Sequence, residues 1–64
     1  MKDAKIKAII RDLHRLECEE ILTEYGFQVY DNESTEDLRE AIQTNYQDGT
    51  ISGSDIVMNW GPSA

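Results

Sequence analysis

From Asp3 to Tyr25 the chain contains neither proline nor glycine, yet its apolar residues change face partway along this run. Ala, Lys, Arg, Leu and Glu dominate the segment, which marks it as helical. Ile6, Ile9, Ile10, Leu13 and Leu16 recur at helical spacing and form one stripe. At about 100° per residue their directions cluster near roughly 215°, whereas Cys18, Ile21, Leu22 and Tyr25 cluster near roughly 350°, a turn of about 135°. One straight helix cannot offer both stripes to the same core. Two helices meeting near Leu16 to Cys18 are the simplest account. A continuous helix with two burial faces, each covered by a different part of the chain, is the alternative, because no breaker residue marks a joint.

The charges turn with the apolar residues. Lys7, Arg11 and Arg15 lie opposite the first stripe, and Glu17, Glu20 and Glu24 lie opposite the second. Residues 1–16 sum to +3 and residues 17–64 to −10, giving the formal net charge of −7. Such a split concerns partners rather than fold: one surface could meet an anion and a larger one repels it.

Gly26 follows Tyr25 where a helix-ending glycine belongs. Phe27-Gln28-Val29-Tyr30 alternates, but Asp31-Asn32-Glu33 follows at once, so an extended loop with Phe27 and Val29 inward is expected instead of a paired strand. Ser34 offers an N-cap hydroxyl, and Glu36 and Asp37 place acids at the positive end of the next helix. That helix should run from about Thr35 to Tyr46, with Leu38, Ala41, Ile42 and Tyr46 on one face, until Asp48-Gly49 turns the chain. Beyond it, Ser54-Asp55 could cap a short helical turn presenting Ile56, Val57 and Trp60, although Ile56-Met58-Trp60 also alternates like a strand. The helical turn is the reading taken, and residues 61–64 are expected to be a frayed tail.

The expected fold is therefore all-α: a single small domain over residues 1–60, with three helices at about 3–16, 17–25 and 35–46 and a short C-terminal helical turn. Its core should contain Ile6, Ile9, Leu13, Ile21, Leu22, Phe27, Leu38, Ile42 and Ile56. A chain of this size buries only about 60% of the surface its unfolded form exposes, and small domains usually gain support from a disulfide, a metal or a partner. Cys18 and His14 are the only cysteine and histidine, which removes an internal disulfide and leaves a structural zinc site without enough ligands. A protein partner or self-association remains. The lone cysteine and the lack of a long apolar run suggest a cytoplasmic protein with no membrane segment.

No motif carries catalysis. His14 and Cys18 share a side of a helix at one-turn spacing, but no orienting or oxyanion-binding group accompanies them, so no enzymatic activity is expected. Asp48 to Asp55 looks like the second half of an EF-hand loop with its glycine in place. In that register, however, Thr44 and Tyr46 fall where oxygen ligands are required, and Asp55 stands where a bidentate glutamate is needed. Neither a metal nor another cofactor is expected. Lys7, Arg11 and Arg15, at i, i+4 and i+8, form a ridge that could contact nucleic-acid phosphates or an acidic protein surface. Asp3 and Asp12 can pair with Lys7 and Arg15, and the net charge opposes a duplex.

The segment Glu19 to Phe27, the extended stretch after it, and Ser34 to Ile42 resemble the helix–extended loop–helix pattern shared by the SAP, LEM and phage HeH motifs, over about residues 17–46. The resemblance implies DNA binding in the SAP version and protein binding in the LEM version. Here the loop and second-helix start carry Asp31, Glu33, Glu36 and Asp37 with Arg39 as the one nearby cation, so no phosphate site carries over and a protein partner is favoured. The leading expectation is a small acidic interaction module, an inhibitor or regulator whose surface could mimic DNA, contacting a protein through Glu17, Glu20, Glu24, Tyr30, Asp31 and Glu33. The alternative is a small nucleic-acid-binding regulator that uses the basic N-terminal helix.

Overall fold

The structure is a computed structural model and describes residues 2–61, with side chains from Asp3 onward. Four helices follow one another: α1 (Lys2–Arg11), α2 (Arg15–Glu24), α3 (Thr35–Gln47) and α4 (Gly53–Trp60). The all-α expectation holds, but the described residues form four helices where three and a turn were expected. The last three positions of the expected frayed tail, 62–64, lie outside the described residues.

The first run divides into two helices, and the joint falls at 12–14, earlier than the expected Leu16 to Cys18. No glycine or proline breaks it; hydrogen bonds do. His14 takes an extended backbone conformation as the N-cap of α2 (φ −81°, ψ 164°), and its N–H donates to Glu17 Oε1 at 2.9 Å. This is the reach-back half of a capping box, with histidine where serine or threonine is usual. On the other side of the joint, the Leu13 carbonyl accepts from Arg39 Nε on α3 at 2.8 Å. A carbonyl freed by the break is thus satisfied from a distant helix, as buried backbone requires.

Moving the joint corrects one residue of the stripe. Leu16 belongs to the start of α2, nearly opposite Cys18, Ile21 and Leu22, and is 75% exposed. The residues that α2 buries are Cys18, Ile21 and Leu22, as the second stripe predicts.

Two glycines close helices in the same way. Gly26 (φ 85°) and Gly49 (φ 89°) adopt left-handed conformations that favour glycine. After α2, Gly26 N–H donates to Thr23 O at 3.0 Å and Phe27 N–H to Leu22 O at 2.8 Å; after α3, Gly49 N–H donates to Tyr46 O at 3.2 Å and Thr50 N–H to Asn45 O at 2.9 Å. Both are Schellman motifs. At the head of α3, Ser34 Oγ accepts from Asp37 N–H at 3.1 Å, the expected N-cap.

α4 is a true helix of eight residues, longer than the expected turn. Ile56 is buried and Val57 and Trp60 pack against the core, while Met58 is 71% exposed. A strand would have put Met58 on the same side as Ile56, so helical periodicity decides between the two readings.

α3 packs on both α1 and α2, and α4 packs on α1. The buried core comprises Ile6, Ile9, Ile10, Leu13, Cys18, Ile21, Leu22, Leu38, Ile42, Ile51 and Ile56. Phe27, expected among them, is only partly buried; with Val29 it packs against the core from the loop. Ile51 enters because the Schellman turn at Gly49 directs the chain back over the helices.

Candidate interaction surface

The three cations expected to form one ridge are divided between two helices. Lys7 and Arg11 lie on α1. Lys7 Nζ is 3.3 Å from Asp3 Oδ2, the anticipated pair. Arg15 opens α2, beyond the break, and its Nε donates to Glu19 Oε2 at 3.0 Å in place of Asp12. Its remaining guanidinium donors turn to the loop after α2: Nη1 donates to the Glu33 carbonyl, and Nη2 approaches the carbonyls of Tyr30 and Asp31 at 3.4 and 3.5 Å. One fork therefore gathers three loop carbonyls, which suits the planar, multi-donor geometry of arginine and not the point charge of lysine.

The acidic candidates also divide by role. Glu17 caps α2 through His14. Glu33 closes its own loop, its Oε1 accepting from Tyr30 N–H at 2.9 Å. Glu20, Glu24, Tyr30 and Asp31 are exposed, Tyr30 at 54%. His14 is exposed and Cys18 fully buried, so one-turn spacing does not place the two side chains in a common solvent-accessible site.

Expectations based on charge passed over Leu16. It lies in a shallow depression with Glu19, Glu20, Thr23 and Glu24 along the outer face of α2. Glu20 and Glu24 also border an adjoining depression with Asn59 and Trp60, where Trp60 Nε1 donates to Glu20 Oε1 at 3.3 Å. The result is an exposed leucine at one end, a partly buried indole at the other, and glutamates between. The signal for Leu16 was present in the wheel, since its direction is nearly opposite that of the residues α2 buries.

The support beneath this face runs through Tyr25. Its hydroxyl donates to Asp55 Oδ2 at 2.6 Å and accepts from Ser52 N–H at 3.1 Å, fastening the end of α2 to the first turn of α4. The Asp55 hydrogen bond raises the Tyr25 pKa above its ordinary value near 10. A tyrosine whose folded-state pKa is raised adds stability that is fully present below about pH 10 and is lost as pH rises through the higher folded value. Thermal or urea unfolding should therefore show stability declining above about pH 10, with a shallower decline in Tyr25→Phe. An equally steep decline in the variant would refute the assignment. On the acid side, Tyr46 Oη donates to Asp3 Oδ1 at 2.7 Å, and this bond, with Lys7, lowers the Asp3 pKa below 3.8. That contribution is present above the ordinary value and disappears as pH falls through the lowered one.

Arg15 gives a second test. Arg15→Ala should cost about 1–2 kcal/mol, the low end for hydrogen bonds from a charged donor because the group is partly solvated. Hydrogen exchange should accelerate at the Tyr30 and Glu33 amides, both bonded within the loop, while the Leu38 amide in α3 keeps its protection. Unchanged exchange at Tyr30 and Glu33 would show that the loop holds itself.

No helix among the described residues is long and apolar enough to cross a membrane. Comparison with known proteins returned no matching family model, no similar curated protein and no similar solved structure.

Proposed function

We propose that this chain is a non-enzymatic interaction module that binds another protein through the acidic outer face of α2 and the adjoining loop, as an inhibitor or regulator of that partner. The observation that carries the reading is Leu16, a leucine 75% exposed among Glu19, Glu20 and Glu24. Single exposed apolar residues are common, but one flanked by acids and continuous with an indole has the make-up of an interface: an apolar anchor with a charged rim. Competition with nucleic acid for a basic partner is one form the regulation could take. The nucleic-acid alternative relies on Lys7 and Arg11, since Arg15 is committed to Glu19 and the loop.

The test is capture from source-cell lysate on immobilised wild-type protein and on the Glu20→Gln/Glu24→Gln double variant, which leaves the core untouched. A specific protein retained by the wild type and reduced about tenfold by the double variant is expected, the size of effect that interface anchors carry. Recovery of the bait alone would overturn the proposal. Binding to duplex DNA at about 50 mM salt, where phosphate contacts are strongest, would favour the basic helix instead.

A further inference from the structure

Resting on that reading, we infer that the occupant of the α2 face is a cationic amphipathic helix of the partner. Its apolar residue would pack on Leu16, and an arginine or lysine one to two turns away would sit between Glu20, Glu24 and the Trp60 ring. Three observations favour this occupant. The first is charge. From Leu16 to the end of α4 the sole cation in the sequence is Arg39, whose Nε is bonded to the Leu13 carbonyl at the α1–α2 joint. Among the described residues Glu20 and Glu24 form no ion pair, the pairs being Lys7 with Asp3 and Arg15 with Glu19, and a positively charged occupant supplies a partner for both.

The second observation is shape. The patch follows the axis of α2 from Leu16 to Glu24, about 12 Å at 1.5 Å per residue, before it reaches Asn59 and Trp60 on α4. A surface two turns long whose side chains recur at helical spacing can pack along one face of a partner helix. An extended peptide docking by strand addition would need a sheet edge, and the described residues form no strand.

The third is the chemistry of the far end. Two carboxylates one turn apart beside an indole suit a guanidinium or ammonium group, through paired charges and contact with the ring face. Trp60 is the only tryptophan, so its emission reports directly on occupation of this end.

The experiment titrates the full chain with a synthetic peptide of about 18 residues made of Leu, Ala, Lys and Arg, long enough for helix formation, with leucines at i, i+4 and i+7 and no aromatic residue. A scrambled peptide of identical composition is the control. Trp60 emission should change saturably with the amphipathic peptide, and the scrambled one should bind about tenfold more weakly. Leu16→Ser should weaken binding about tenfold, and Glu20→Gln/Glu24→Gln should weaken it and flatten its salt dependence. Circular dichroism should show both variants folded, because the substituted side chains lie outside the core. Equal binding of the scrambled peptide, or unchanged binding by Leu16→Ser, would reduce the effect to bulk charge and overturn the proposal. So would concentration-dependent self-association abolished by Leu16→Ser, which would make a second copy the occupant. If lysate capture succeeds and depends on Glu20 and Glu24 while the peptide fails, the helical occupant falls and the broader protein-binding reading stands.

Discussion

Ile42→Ala should remove about 2–5 kcal/mol of stability, the range for truncating a fully buried isoleucine to alanine. At roughly 0.05–0.15 kcal/mol per residue, a chain of this length has only about 3–10 kcal/mol in total. Ile42 is 0% exposed and lies on α3, the helix that packs on both α1 and α2. A cavity there loosens two interfaces at once, and no disulfide holds the helices together. Ile42→Val is the control and should cost about 0.5–1.5 kcal/mol. Urea unfolding followed by far-ultraviolet circular dichroism, and in parallel by Trp60 fluorescence, would measure both variants. A midpoint for Ile42→Ala within error of the wild type would mean that α3 is not the centre of the fold.

Ile42 was legible as a core residue because Leu38, Ala41, Ile42 and Tyr46 repeat at helical spacing between a serine cap and an Asp-Gly turn. Those local signals fixed both ends of α3 to within a residue. They were equally good for the end of α2, where Gly26 stands after Tyr25. The joint between α1 and α2 was harder to place. Its capping residue is a histidine, whose preference for that position is not strong, and its second support comes from Arg39, far along the chain. Local patterning could show that the apolar face turns, but not where the backbone turns. α4 is expected only as a helical turn for a similar reason: Ile56, Val57, Met58 and Trp60 fit two periods until packing against α1 selects one.

The candidate surface was legible in its sign and not in its detail. The solvent side of α2 is acidic, as expected from the wheel, and Glu20 and Glu24 are on it. Arg15, Glu17 and Glu33 are expected as partner contacts on their charge. In the structure each satisfies backbone groups of its own chain. Charge alone does not distinguish a side chain available to a partner from one already used as a cap, since both need the same donors and acceptors. Leu16 was missed for the converse reason. An apolar residue in helical register with a core stripe looks buried until the helix is known to have ended five residues earlier.

The second large effect concerns Cys18, and it tests the core without altering it. The side chain is 0% exposed, and burial pushes its thiol pKa above the ordinary 9.0. A thiol-specific alkylating reagent needs both access and thiolate, so the folded state denies it twice. Labelling must then pass through an opened state, and its rate measures how often that state forms. If opening requires global unfolding, a stability of about 3 kcal/mol or more makes native labelling at least roughly 100-fold slower than labelling in denaturant. Ile42→Ala should restore at least about 30-fold of that rate, the equivalent of 2 kcal/mol. Leu16→Ser should leave it unchanged, because Leu16 lies on the opposite side of the same helix. Mass spectrometry of timed aliquots reads all three rates on chains carrying a single thiol. Native labelling as fast as in denaturant would mean that α2 does not bury Cys18 against α3, and the outward orientation assigned to Leu16, Glu20 and Glu24 would fail with it.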